Sequence, residues 1–360
     1  MCRKPSLENK RNFMIVHSDE SHTSVTGMRE IAASKSVTIK AFGRNDDGSP
    51  DLSPPSGLGS SLNLVAFPAM SNFCGYRFPL EWIGIFKAEY SGNLVLLDAA
   101  SHMSSATLDL SAHKPDFVCV SFYKMFGYPT GVGALIVRQS ALSALGGKRY
   151  FGGGAVEMNL VRERAFEFRK REEDWLEDGT LPFLEIVALV HGFNAIRRLP
   201  QGIEGVSRHT HALSRHFYER LKAIKHKNGR QVARVYSTTD YSDREMQGPV
   251  VNFNLLKEDG SFYGFAAFRR LAMTRRIALR TGCFCNIGAC QKYLGISDGD
   301  VLRNYRVLLR HDTRNVRLVK CSDRLVMLFS KPLKAQSQNA EPCRFPLLEG
   351  PCLRRRRRPH

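Results

Sequence analysis

No stretch of the 360-residue sequence approaches eighteen consecutive apolar residues, so no membrane-spanning helix is expected. The opening Met-Cys-Arg-Lys-Pro-Ser-Leu-Glu-Asn-Lys has no continuous apolar core of the kind a secretory leader needs, which makes the cytoplasm the expected compartment. There the nine cysteines are expected to be mostly reduced. Acidic side chains are scarce too, 34 against 53 Lys and Arg, for a formal charge of +19. The deficit is local: Val301 to His360 holds fifteen Lys/Arg and four Asp/Glu, or +11, leaving only +8 for the first three hundred residues. The run Arg354 to Arg358 reads as solvated surface, a localisation signal or a phosphate-binding patch, and a nucleic-acid role would rest on it alone. What is plentiful is apolar material. At 43% hydrophobic residues the chain can build one large or two medium domains, which excludes a disordered tail protein or a disulfide-stapled miniprotein.

Short apolar runs bounded by turn residues, Leu62 to Phe67, Leu94 to Leu97, Phe117 to Val120 and Ala134 to Val137, predict buried strands. Apparent helices alternate with them, notably around Pro79 to Tyr90, so the pattern predicts a mostly parallel sheet in an α/β architecture with ligands at the strands' carboxyl ends. The stretch from Arg44 to Ser61, dense in Gly, Pro, Ser and Asp, predicts a mobile surface loop inserted into this unit. After Gly154 the segments lengthen. Helices are expected over Leu184 to Leu199, Ile203 to Ile224 and Gly264 to Thr274, with a strand at Val250 to Leu256, which together make a smaller α+β unit.

Two units carry chemistry. Asn93-Leu-Val-Leu-Leu-Asp98 is a strand ending in a carboxylate, and Asp116-Phe-Val-Cys-Val-Ser-Phe-Tyr-Lys124 follows it, so adjacent parallel strands would bring Asp98 and Lys124 to one sheet edge. An acid and an amine so placed suit pyridoxal phosphate, the lysine forming a Schiff base and the aspartate keeping the pyridine nitrogen protonated. A simple ion pair at a sheet edge fits the same spacing. Ser121 and Tyr123 flank the lysine as hydroxyl donors to a phosphate, and Gly131 and Gly133 follow where backbone must pass close to a bound group. The second unit is Arg280-Thr-Gly-Cys-Phe-Cys-Asn-Ile-Gly-Ala-Cys290. Here a cysteine on an exposed loop can serve as a thiolate nucleophile, while a zinc site is disfavoured because Cys-x-Cys-x4-Cys is not a usual zinc spacing and no fourth ligand follows. His22, Asn72 and the triplet Gly152 to Gly154 each have a plain structural reading as well: a hydrogen-bonded imidazole, a cap and a hinge.

Seven segments in one order, Ser21 to Arg29, Pro68 to Phe73, Leu96 to Ala100, Ser121 to Gly131, Tyr150 to Gly154, Glu177 to Thr180 and Arg280 to Asn286, resemble the aminotransferase-like domain of the molybdenum cofactor sulfurase family, relatives of the cysteine desulfurases within the class V aminotransferases. The resemblance implies the large domain of a fold-type I pyridoxal-phosphate-dependent transferase with a smaller α+β domain, incomplete at both ends. It divides the chain into a loose start (1–11), a partial cofactor-binding large domain (12–154), hinge helices and small domain with the cysteine loop (155–303), and a divergent basic tail (304–360). It makes Lys124 the residue bonded to pyridoxal 5'-phosphate, Asp98 the partner of the pyridine nitrogen and His22 a ring stacked on the cofactor. Asn72 and Ser101 would lie by the ring oxygen, Ser121 and Tyr123 by the phosphate, and Arg280 at the carboxylate of substrate L-cysteine. Cys285 would carry the persulfide, with Cys283 and Cys290 as neighbours. Plain desulfurases have Gln and His where Ser101 and Tyr123 stand, which points to the sulfurase branch. The sulfur acceptor would be the molybdenum cofactor, and the enzymes activated xanthine dehydrogenase and aldehyde oxidase. In a homodimer Thr180 and the Gly152 to Gly154 loop would approach the partner's cofactor.

Relatives begin earlier, with a Gly-Ser-Thr turn that anchors the phosphate at a helix N-terminus, and nothing before His22 replaces it. After about Arg303 the sequence reads as a departure from the family, and no molybdopterin-binding domain is expected in it. From these gaps comes a second expectation: a shortened product that binds cofactor weakly, exposes apolar sheet surface and acts at most as an interaction partner.

Overall fold

The computed structural model describes residues 13–51, 63–89, 92–148, 150–310 and 327–329. Strand β1 (Met14–Ser18) leads through the short helices α1 (Thr23–Thr26) and α2 (Met28–Ser34) to β2 (Thr38–Phe42). Then come β3 (Asn63–Pro68), α3 (Trp82–Glu89), β4 (Leu94–Asp98), β5 (Phe117–Ser121), α4 (Phe122–Phe126) and β6 (Gly133–Val137). These strands form one sheet in the order β2-β1-β3-β4-β5-β6. All pairs are parallel except β5 with β6. All four predicted apolar runs are strands of this sheet, and the helix expected after Pro79 is α3. Leu62 itself lies outside the described residues.

Continuous apolar runs form the central strands because both faces are covered. Val65 and Phe67 of β3 and Val95 and Leu97 of β4 are buried among the aromatic residues of α3 and its approach. The Trp82 ring packs 5.5 Å from Phe67 and edge-on, 5.3 Å, from Phe78, and Phe42 meets Phe86 at 5.3 Å. Buried Asp116 ties the helix and the sheet together, accepting from the Val95 amide at 2.8 Å and from Lys87 Nζ at 2.9 Å.

Beyond β6 the chain forms a hairpin, β7 (Val156–Asn159) and β8 (Phe166–Phe168), then α5 (Glu172–Leu176), α6 (Phe183–Arg198) and α7 (Gly202–Ala223). It continues with β9 (Ala233–Val235), β10 (Val251–Leu255), α8 (Phe265–Thr274), β11 (Leu279–Thr281), α9 (Ile287–Leu294), α10 (Asp298–Arg310) and β12 (Met327–Phe329). The second sheet runs β11-β12-β10-β9, antiparallel throughout. Its strand β12 comes from within the segment read as a divergent tail, so that segment completes the sheet between β10 and β11. Residues 1–12, 311–326 and 330–360, with the basic run, lie outside the described residues. The second unit is also stitched to the first: Asn252 Nδ2 donates to Phe73 O at 2.8 Å and Gln247 Nε2 to Cys74 O at 2.9 Å.

Two local features add to the sequence reading. The segment opening at Arg44 is anchored where it begins: Arg44 and Pro50 form a bridge, the Arg44 guanidinium lies 3.6 Å over the Tyr76 ring, and the side chain is buried beside Glu20. A cation with an aromatic face and a carboxylate to meet leaves the solvent, whatever its Gly- and Pro-rich neighbours do; 52–61 lie outside the described residues. The triplet at Gly152, for which a hinge was the plain structural reading, is a point of close backbone approach. A Cβ at Gly152 would stand 1.6 Å from the Asp178 carbonyl oxygen. Its amide donates to the Asp178 carboxylate at 2.9 Å, which also takes Lys148 Nζ at 2.6 Å. The motifs at 150–154 and 177–180 are thus two halves of one contact. Gly152→Ala is expected to cost about 1–3 kcal/mol, whereas Gly153→Ala, with open space at its Cβ position, stays within about 0.5 kcal/mol. Urea denaturation of the two variants checks this, and equal midpoints would refute it.

Candidate active site

The parallel register sets the site. Pro68 pairs with Asp98 and Asp98 with Cys119, so β3, β4 and β5 end together. The chain leaves β5 at Ser121 directly into α4, which carries Lys124. A cavity of about 270 Å³ opens at these carboxyl ends, and His22, Asn72, Asp98, Ser101, Ser121, Tyr123 and Lys124 all line it. Among the described residues Asp98 and Lys124 form no direct ion pair, and the Asp98 carboxylate instead accepts the Ala100 amide through Oδ1 at 3.0 Å. Asp98 and Lys124 line the same cavity and interact electrostatically without a direct contact.

Burial pushes the Lys124 amine below its ordinary value near 10.5; Asp98 opposes the shift, Arg280 adds to it and Cys285 opposes it. His22 is also held down by burial, against the pull of Asp98 and with the help of Lys124 and Arg280. Burial and the nearby Asp98 carboxylate raise the Cys119 thiol. Arg280 and Cys285 therefore share the electrostatic neighbourhood of this cavity although they are not among its lining. His22 caps α1, its Nδ1 accepting the Ser24 amide at 3.2 Å with Ser24 Oγ at 2.9 Å.

Cys285 is an exposed free thiol on the loop between β11 and α9. Phe284 and Cys285 both adopt left-handed backbone, φ 56° and 58°, a conformation that costs non-glycine residues roughly 1–2 kcal/mol each. The turn brings Cys283 back to Cys290, Cα atoms 5.4 Å apart, as a disulfide. Among the described residues Cys74, Cys119 and Cys285 are free, consistent with thiols that are mostly reduced.

The family model for class-V aminotransferases matches residues 1–299. The chain belongs to the class-V aminotransferase family. Within it the chain is similar to molybdenum cofactor sulfurases: 43% identical over 290 residues to that of Bos taurus, covering 78% of this chain and 33% of the relative. The Anopheles gambiae protein is 44% identical over 307 residues, 81% of this chain and 39% of its own length, and the human one 42% over 300 residues, 80% and 33%. The chain thus spans between a third and two fifths of the length of these curated relatives. Its fold is shared with solved cysteine desulfurases. The apo enzyme of Thermococcus onnurineus NA1 superposes with a TM-score of 0.62 at 20% identity, covering 84% of this chain and 73% of that one. CsdA of Escherichia coli superposes with a TM-score of 0.64 at 18% identity, with the same coverage. These likenesses bear out the α/β architecture with its mostly parallel sheet.

For this class-V aminotransferase chain, the structure brings together seven of the ten residues singled out from sequence. Arg280 and Cys285 lie beside the cavity, and Thr180 is exposed and not among its lining. Sequence reasoning passed over Ser24, Met70 and Cys119, which line the cavity. It quoted Asn286 without assigning it a role. Asn286 is fully buried and caps α9, its side chain accepting the Ala289 amide at 3.1 Å. An Asn directly before a helical run was the available signal. Because burial favours the neutral amine, Lys124 should lose its proton at lower pH than surface lysines. Competitive acetylation read by mass spectrometry should place its midpoint below 10.5; a midpoint at or above that value would contradict the burial argument.

Proposed function

We propose that this chain is the sulfur-abstracting part of a molybdenum cofactor sulfurase, a pyridoxal-phosphate-dependent sulfurtransferase acting on L-cysteine. The observation that carries the reading is the meeting of Lys124, Asp98 and His22 in one cavity beside the exposed Cys285 thiol. The donor set fits the cofactor. A half-buried amine whose pKa is lowered by burial suits a covalent bond to a carbonyl carbon, and the Asp98 carboxylate, engaged by Ala100 through one oxygen, has the other for a pyridinium N–H. The imidazole of His22 forms one wall, and the hydroxyls of Ser101, Ser121 and Tyr123 suit the ring oxygen and phosphate. When bound, pyridoxal phosphate supplies the electron sink that lets the substrate's α-proton leave.

The chain's own residues do the rest. Arg280, electrostatically linked to Lys124 and His22, holds the carboxylate of L-cysteine. The Cys285 thiolate attacks the substrate sulfur, an S–S bond forming as the C–S bond breaks; the β-carbon keeps the electron pair, takes a proton and departs as part of alanine. The outer sulfur of the persulfide is then handed to the molybdenum cofactor, which is substrate here, a two-electron reduction supplied by an external thiol that returns Cys285 to its thiol form, in the service of xanthine dehydrogenase and aldehyde oxidase. The likeness to molybdenum cofactor sulfurases supports that acceptor. We place the reaction in the cytoplasm; no helix among the described residues is long and apolar enough to cross a membrane.

Exposed apolar side chains favour association as well. Leu135 and Ile136 on the edge strand β6 and Phe183, Leu184 and Val187 on α6 face solvent, which supports a homodimer in which Thr180 reaches the partner's site, and also the alternative of an inactive interaction module.

Visible absorbance with added pyridoxal phosphate, compared with Lys124→Ala, separates these readings. A band dependent on Lys124, with alanine released from L-cysteine, supports the enzyme, and its absence in folded protein supports the inactive module. Cys285→Ser should keep the band and form no persulfide; persulfide labelling that survives in this variant would sink the assignment of Cys285.

A further inference from the structure

The Cys285 loop is held by side-chain amides at its base and near its tip. Asn286 Nδ2 donates to Glu20 O at 2.8 Å and to Asn72 Oδ1 at 2.9 Å, while its own oxygen accepts from Ala289 N. Both amide protons and the carbonyl oxygen of this fully buried side chain are thereby used. Asn72 in turn donates through Nδ2 to Phe284 O at 2.7 Å. The next carbonyl, that of Cys285, accepts from the Thr23 amide at 2.8 Å. These two carbonyls belong to the two left-handed residues, so the partners fix the strained part of the turn. The ground beneath is rigid. A Cβ on Gly288 would fall 1.9 Å from Asp19 O, so the first turn of α9 lies directly on the 19–20 turn. Lys292 of α9 also reaches buried Glu20 at 3.4 Å.

Asn72 faces two ways. One side of the residue lines the cavity, while its amide grips the loop that carries the thiol. An amide nitrogen has two protons, and with one given to Phe284 O the second remains for a group in the cavity.

Resting on the sulfur-transfer reading above, we propose that Asn286 and Asn72 form an amide latch that positions Cys285 over the cavity, with Asn72 joining the occupancy of the cavity to the placement of the loop. Both are positioning residues, acting through the backbone of Phe284 and Cys285. An occupant that takes the spare Asn72 proton orients the same amide that holds Phe284 O, so a filled cavity tightens the loop and an empty one leaves it freer.

Asn286→Asp isolates the latch. A carboxylate still caps α9 but turns an acceptor toward Glu20 O and Asn72 Oδ1, replacing two attractions with repulsions. Deuterium exchange of the full chain without cofactor reads the result independently of turnover. Exchange at the Thr23 amide, whose acceptor is Cys285 O, should rise at least about tenfold in Asn286→Asp and in Asn72→Ala, with exchange in the central sheet unchanged. A short thiol-to-amine cross-linker should join Cys285 to Lys124 in the unaltered protein, and its yield should fall at least about threefold in both variants as the open loop gains population. Thr23 exchange within about twofold of the unaltered protein, or an undiminished cross-link, would overturn the latch. Should Asn286→Asp fail to fold, Asn72→Ala, at a half-buried position, decides by the same criteria. Because neither readout needs pyridoxal phosphate or L-cysteine, failure of the latch and failure of the sulfurtransferase reading are told apart.

Discussion

The parallel pairing of β3, β4 and β5 is the constraint on which the site depends. Because the three strands end in register, the carboxylate at the end of β4 and the amine in the first turn after β5 face one opening. A carboxylate in direct contact would hold the amine protonated; here burial is the largest influence on Lys124 and lowers its pKa, with Asp98 opposing. The sheet can hold this arrangement because its central strands are covered on both faces, and the aromatic layer of Phe42, Phe67, Phe78, Trp82 and Phe86 leaves little freedom for the strands to slide.

The large sheet was legible in the sequence because its strands are continuous apolar runs closed by turn residues, a pattern that follows directly from burial on both faces. The exceptions have physical causes. Strand β2 lies at the sheet edge and alternates too weakly to announce itself, with only Phe42 of its five residues buried. Strands β9 and β11, three residues each, are too short to show a period. At the site, Asp98 and Lys124 were visible because chemistry and strand spacing agree. The roles of His22, Asn72 and Arg280 could be expected only from resemblance, since a lone polar residue has no periodicity. The bond between Asn286 and Glu20 joins positions 266 residues apart, and no local pattern encodes such a contact.

The tight contacts at Gly152 and Gly288 share a logic. Each lets one backbone segment lie directly against another, Asp178 in the first case and Asp19 in the second, and in each the neighbouring polar groups are satisfied by side-chain amides or carboxylates. Glycine here provides proximity rather than flexibility. Motifs nearly thirty residues apart thereby turn out to be one interaction.

The long reach of the Asn286 to Glu20 bond also bears on how the protein is made. A ribosome delivers the chain from its N-terminus, so the large sheet can assemble well before α9 has been synthesised. Until then Phe73, whose ring stacks 5.4 Å from Tyr293 of α9, lacks part of its cover. The last aromatic cover over Phe73 therefore arrives late in synthesis, with the helix that follows the cysteine loop.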